Sequence, residues 1–458
     1  MLETKIVSPS ELRLLFLERI AQSNPKLNCY LDVYKEPLDA VAPTGPLANI
    51  PAIIKDNILV KGHRATAGSN ILNNYVASYD ATVVDKLKKA GADILGKGNM
   101  DEFAMGTTGE YSAFGPTLNP HDTQRVAGGS SSGPVAAVAA GLAVFGLGSD
   151  TGGSIRMPSS LCGVVGLKPT YGRVSRSGLM AMASSLDQIG TITRTIEDAA
   201  EVLSVIAGND EMDSTSSSIA VPDFKASIGT SIKGLRIGVP KEFFGEGLDP
   251  QIKQAVERTI QKLESIGAKI GEVSLPLTEY ALPVYYVIVP CEISANLARY
   301  DGIRYGFSDQ HGSRNLLDVY LNSRSGGFGQ EVRRRILIGT YALSAGYFDA
   351  YYLKAQKVRN LIIRQFADIF KEYDLIAGPA SPVLAPKLGE FDNPLAFYLA
   401  DVYTVQVNLA GLPALSMPCG TGVVDGKKLP IGLQLIANHF QEEKLLQAGY
   451  ALQQDINL

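Results

Sequence analysis

Small hydroxyl residues and glycines crowd into one stretch of this chain: AGGSSSGP at 127–134, an apolar helix-like run, then GLGSDTGGSIRMPSS at 146–160. Turn-making alone does not need such density. Consecutive glycines let the backbone approach a ligand closely and present its N–H groups, which is what an oxyanion hole for a tetrahedral intermediate requires. Ser154, directly after Thr151, Gly152 and Gly153, would stand beside those donors as a nucleophile. A serine nucleophile needs a base, and the four His (63, 121, 311 and 439) show no catalytic or metal-binding spacing. The natural substitute is a lysine whose pKa, ordinarily about 10.4, has been lowered by desolvation until it is neutral near pH 7. Lys55 in PAIIKDNI is the candidate, because its apolar flanks mark a buried strand where a solvated lysine is out of place. The competing explanation is a strand-end lysine paired with Asp56.

Three other motifs fail on their own chemistry. GADILGKG (91–98) has phosphate-loop spacing, but Gly98 stands where the magnesium-binding hydroxyl belongs. The Asp150-Thr151-Gly152 triplet has no second copy to share a proton with, so an aspartic dyad is excluded. GLGSDTGG lacks the third glycine of a dinucleotide fingerprint.

The elements that must position these groups read as alternating helices and strands. Leucines 12, 14, 15 and 17 with Ile20 predict short N-terminal helices over about 1–45, and Ile50 opens a β-rich run. A helix from Asp80 feeds the strand ADIL, and a second helix over 249–266 feeds KIGEVSL. Further short strands are predicted at LRIGV (235–239), LIAGP (375–379), ALSMP (414–418) and IGLQLI (431–436). This pattern predicts an α/β protein with one large mixed sheet. The Ser-rich stretch 208–230 reads as a surface crossover within a single domain spanning 1–458, since its two sides do not differ in charge or composition.

Composition sets outer bounds. With 45% hydrophobic and 19% charged residues the chain is globular, and a net charge of −4 gives no basic footprint for holding nucleic acid unaided. Four dispersed Cys and an N-terminus without an apolar core indicate a reducing, cytoplasmic setting. The apolar run at 135–147 is too short to span a bilayer, so no membrane role is expected.

From Gly128 to Arg156 the chain resembles the amidase signature family, whose motif joins a GGSS-type turn, an apolar helix and a D-x-G-G-S-I-R turn. That family's lysine precedes its bridging serine by 75 residues and its nucleophile follows by 24, intervals met by Lys55, Ser130 and Ser154. The resemblance implies the amidase signature fold, with helices on both faces of its sheet, and a Ser-cisSer-Lys triad in which Ser130 relays a proton through a cis peptide. It also implies an oxyanion hole of Thr151, Gly152 and Gly153 with the Ser154 N–H, Ser131 supporting the hydroxyl network, and Asp150 with Arg156 as structural support.

Segments 98–106, 164–190, 296–306, 325–344 and 399–420 resemble the A subunits of bacterial tRNA-dependent amidotransferases. This implies glutamine as substrate, with Arg334 on its carboxylate, Asp401 on its ammonium and Tyr285 as a further contact. Arg333 and Arg335 read as a solvated helix face. It further implies no cofactor or metal on this chain, a B subunit that uses ATP and magnesium on misacylated Glu-tRNA(Gln) or Asp-tRNA(Asn), and a small C subunit. Ser132, Pro134, Gly98, Thr191 and the run at 107–111 depart from the family pattern without removing a catalytic group. A stand-alone amidase acting on a small carboxamide is the rival expectation.

Overall fold

In the computed structural model, which describes residues 6–38, 44–390 and 398–456, the N-terminal segment forms one helix rather than several. Helix α1 (Pro9–Leu27) starts with a capping box between Ser8 and Glu11 and stops at left-handed Asn28. Strand β1 (Tyr30–Val33) follows, so the expected helical region ends earlier than 45, and residues 1–5 and 39–43 lie outside the described residues. Strand β2 (Pro51–Lys55), helix α2 (Thr82–Lys89) and strand β3 (Asp93–Gly98) realise the helix-into-strand pattern. After the hairpin of β4 (Leu118–Asn119) and β5 (Asp122–Val126), the apolar run divides in two. Helix α3 (Ser132–Ala139) ends, Gly141 turns the chain at φ 66°, and β6 (Phe145–Asp150) leads into the glycine turn.

Helix α4 (Arg156–Cys162), strands β7 (Val165–Lys168) and β8 (Gln188–Thr193) and helix α5 (Ile196–Ile206) complete the first half. The 208–230 stretch then crosses to β9 (Arg236–Pro240) with only a short turn of helix at Phe224–Ser227, anchored by buried Phe224. Helix α6 (Pro250–Ser265) and β10 (Lys269–Val273) precede four helices: α7 (Thr278–Asn296), α8 (Leu316–Gly327), α9 (Gln330–Leu343) and α10 (Lys354–Ile369). Strand β11 (Leu375–Pro379), helix α11 (Val405–Leu409), strands β12 (Ala414–Val424) and β13 (Lys427–Ala437) and helix α12 (Glu442–Ile456) end the chain.

Eleven strands form one mixed sheet in the order β1-β3-β2-β6-β8-β7-β12-β13-β11-β9-β10. Alternation along β2 shows why both faces are covered. Ile53 joins the cluster that holds Ile20 and Leu27 of α1 and Val135 and Val138 of α3, whereas Ala52 and Ile54 join the core that holds Val83 and Leu87 of α2 and Leu203 of α5. Helix α7, with its continuation to Arg299, is long and apolar enough to cross a bilayer. Its packing against α9, α10 and α11 accounts for that apolar character, and it carries Pro283 and Pro290.

Two departures from the family pattern prove to be neighbours. A side chain at Gly98 would meet the Pro134 ring at 2.7 Å, so proline at one position fits glycine at the other. Next to it, Gly133 N–H donates to Asn99 O at 2.9 Å, and a Cβ there would strike the Asn99 and Cys29 backbones. Gly133→Ala should therefore lower stability by about 1–3 kcal/mol despite alanine's better helix propensity, read as a shift of the urea midpoint.

Candidate active site

The last residue of β2 enters the space between β6 and the start of α3 as a fully buried amine. Lys55 Nζ lies 2.8 Å from Ser130 Oγ, 2.9 Å from Ser149 Oγ and 3.2 Å from Ser149 O. Burial pushes Lys55 down to about 7, against the opposing pull of Asp101, Asp150 and Asp187. Asp56 does not pair with it; that carboxylate faces Lys97 at 3.5 Å and accepts from Thr66 N at 2.9 Å. An ammonium would donate to all three oxygens, whereas the neutral amine donates two hydrogens and keeps a lone pair for the Ser130 hydroxyl.

The Gly129–Ser130 peptide bond is cis. Around it, Gly129 N donates to Thr107 O at 2.7 Å, and Asp101, packed against Gly129, accepts from Gly109 N and Tyr111 N at 3.1 and 2.9 Å. The atypical 107–111 run thus backs this segment. Ser131 N donates to Ser154 O at 3.2 Å and Ser131 Oγ to Ser149 O at 3.1 Å, tying the two serine segments together. Among the described residues no hydrogen bond joins Ser154 Oγ to Ser130 Oγ.

The turn that carries Ser154 is built on Asp150. Its Oδ1 accepts from Gly153 N at 2.9 Å, its Oδ2 from Ile155 N at 3.1 Å, and Arg156 lies across both oxygens at 2.9 and 3.0 Å. Burial alone would raise the Asp150 carboxyl, but Arg156 beside it holds it far below the usual range. Gly153 N–H, expected among the oxyanion donors, is engaged by Asp150 in this structure. Thr151 Oγ1 donates to Asp187 at 2.6 Å.

Tyr285 covers this turn so closely that a Cβ at Gly152 would strike its hydroxyl. Beside it, Tyr286 donates to Asp401 Oδ2 at 3.2 Å. Burial raises Asp401 to about 8, offset in part by that hydrogen bond and by Arg335. Arg334, about a third exposed, pairs with buried Glu331, and no hydrogen bond links it to the serines among the described residues. The expectation of a solvated Arg335 is overturned. Its guanidinium is buried because Glu331 neutralises it at 2.7 Å and the Tyr286 and Tyr398 rings lie 5.4 and 5.5 Å from it.

The amidase family model matches residues 11–446. The chain belongs to the amidase family. It is 54% identical over 466 residues to the A subunit of glutamyl-tRNA(Gln) amidotransferase from Moorella thermoacetica, covering 99% of this chain and 94% of that one. The crystal structure of the corresponding A subunit from Thermotoga maritima is 44% identical, with a TM-score of 0.83 over 98% of this chain and 93% of that chain. A 6-aminohexanoate cyclic dimer hydrolase complexed with substrate, 26% identical, has a TM-score of 0.84 over 100% of this chain and 95% of that chain. The amidase fold therefore serves unlike amides, and substrate choice rests on the site.

Sequence reasoning missed four groups that hold this amidase site: Ser149, Asn57, Thr404 and Asn408. Asn57 Nδ2 donates to Ser149 Oγ at 3.0 Å, and Asn408 Nδ2 to Asp150 Oδ1 at 2.9 Å. All four lie in segments already singled out, Asn57 in PAIIKDNI, Ser149 in the 146–160 stretch, and Thr404 and Asn408 in 399–420, but as uncharged residues they give no sign along the chain of which partner they hold. Asp150→Asn would leave Arg156 as an uncompensated buried cation and should cost about 3–5 kcal/mol, measured by urea denaturation.

Proposed function

We propose that this chain is the glutamine-hydrolysing subunit of a tRNA-dependent amidotransferase. The observation that carries the chemistry is a fully buried Lys55, lowered to about 7, in hydrogen-bond contact with Ser130. The choice of glutamine is supported by near full-length likeness to glutamyl-tRNA(Gln) amidotransferase A subunits, and Arg334 and Asp401 are side chains of the types that suit the two ends of an amino acid.

In this reading Ser154 Oγ attacks the side-chain carbonyl of glutamine while its proton passes through Ser130 to the Lys55 amine. The oxyanion accepts hydrogen bonds from the N–H groups of Thr151, Gly152 and Ser154. Protonated Lys55 returns its proton through Ser130 as the C–N bond breaks, ammonia leaves, and water releases glutamate from the Ser154 ester. Ser131 and Tyr285 shape the pocket, Arg334 takes the carboxylate and Asp401 the ammonium. Ammonia passes to a B subunit that activates Glu-tRNA(Gln), or Asp-tRNA(Asn), with ATP and magnesium, and a C subunit completes a cytoplasmic heterotrimer. The net charge of −4 fits a protein that leaves the tRNA to its partner.

Ser154→Ala should abolish glutamine-dependent amidation by the reconstituted complex while amidation from ammonium salts continues; retained glutaminase activity would falsify the mechanism. Asp401→Asn should cost roughly 10- to 100-fold in kcat/KM for glutamine, through a higher KM together with a smaller loss of kcat. Because Lys55 and Asp401 both act deprotonated, kcat/KM should rise with pH through about 7 and again through about 8. A pH profile of Asp401→Asn should keep only the lower rise.

A further inference from the structure

Thr404 stands between the two halves of this site and is itself fully buried. Its N–H donates to Asp401 O at 3.0 Å. Its hydroxyl donates to Gly152 O at 2.6 Å, with Asp401 O as a second acceptor at 3.2 Å. Its own carbonyl accepts from Arg156 at 3.2 and 3.3 Å. One residue therefore touches the Asp401 backbone, the glycine turn and the buried cation beneath that turn.

Peptide planarity gives these contacts their meaning. A trans peptide carries its C=O and N–H on opposite edges of one plane. The plane between Gly152 and Gly153 is gripped at both edges, its C=O by Thr404 at 2.6 Å and its N–H by Asp150 at 2.9 Å. A Cβ on Gly153, whose φ is 140°, would strike Thr404 Oγ1, so glycine is needed there for both conformation and approach. The N–H groups of Gly152 and Ser154 belong to the planes on either side. With the central plane fixed, the directions of both are constrained.

We infer that Thr404 is a positioning residue that couples recognition of the substrate ammonium at Asp401 to the aim of the oxyanion donors. This rests on the functional reading above, in which Asp401 receives that ammonium. An amino-acid amide whose ammonium is held by Asp401 engages the segment that anchors Thr404 against Gly152, whereas a carboxamide without an ammonium does not. Selectivity for glutamine then shows in turnover as well as in binding.

The test compares Thr404→Val, which keeps the shape and loses the donor, with Thr404→Ser, which keeps the donor, in the assembled complex. Thr404→Val should lower kcat for glutamine about 100-fold with KM within about threefold of wild type, and Thr404→Ser should retain most of kcat. Amidation from ammonium salts, which reports folding and assembly, should be unchanged in both. Adding Asp401→Asn to Thr404→Val should raise KM without lowering kcat further, because the coupling is already cut. The inference is overturned if Thr404→Val keeps kcat within about threefold, if Thr404→Ser is as impaired as Thr404→Val, if the two kcat losses simply multiply, or if ammonia use falls along with glutamine use. Absence of glutamate release by the wild-type complex would overturn the functional assignment, and this inference with it.

Discussion

The buried ion pair between Asp150 and Arg156 is the contact on which the rest of the site depends. Both side chains are wholly out of water. Such a pair persists only where hydrogen bonds satisfy its remaining valences, and here the satisfying groups are the site's own framework. Asp150 gathers the N–H groups of Gly153 and Ile155 and the amide of Asn408. Arg156 gathers Thr404 O, Asn408 Oδ1 and Gln434 Oε1. The electrostatic need of two charges thereby draws the glycine turn, α11 and β13 to one point.

Around that pair the low dielectric pushes these titratable groups toward their uncharged forms. Burial lowers Lys55 to about 7 and raises Asp101 and Asp187 to about 6 each. The aspartates keep Lys55 from falling further, so the amine stays within reach of neutral pH as both acceptor and donor. The same burial raises Asp401 to about 8, and a substrate ammonium would supply positive charge directly against this carboxylate.

The long, strongly periodic elements are legible along the chain. Helix α6 and the strands at 375–379 and 431–436 fall where their apolar spacing puts them, because that spacing records which face meets the core. The apolar run at 135–147 reads as one helix and is not, since apolar residues suit a buried helix and a buried strand alike and only Gly141 marks the break. Arg335 reads as solvated and is not, because its neutraliser, Glu331, lies one helical turn away and its covering rings come from remote segments.

For the site itself, sequence alone determined the residue types and intervals: a lysine in an apolar strand, hydroxyls beside glycines, and spacings of 75 and 24 residues that match the amidase signature. Those are local properties, carried by backbone freedom and by the mismatch of a charge with its apolar neighbours. Only the tertiary structure decided that Gly153 N–H goes to Asp150, that Asp56 belongs to Lys97, and that Thr404 grips Gly152 from 252 residues away. Hydrogen-bond partners are allotted by competition among groups brought together in space, and separation along the chain carries no information about which of them wins.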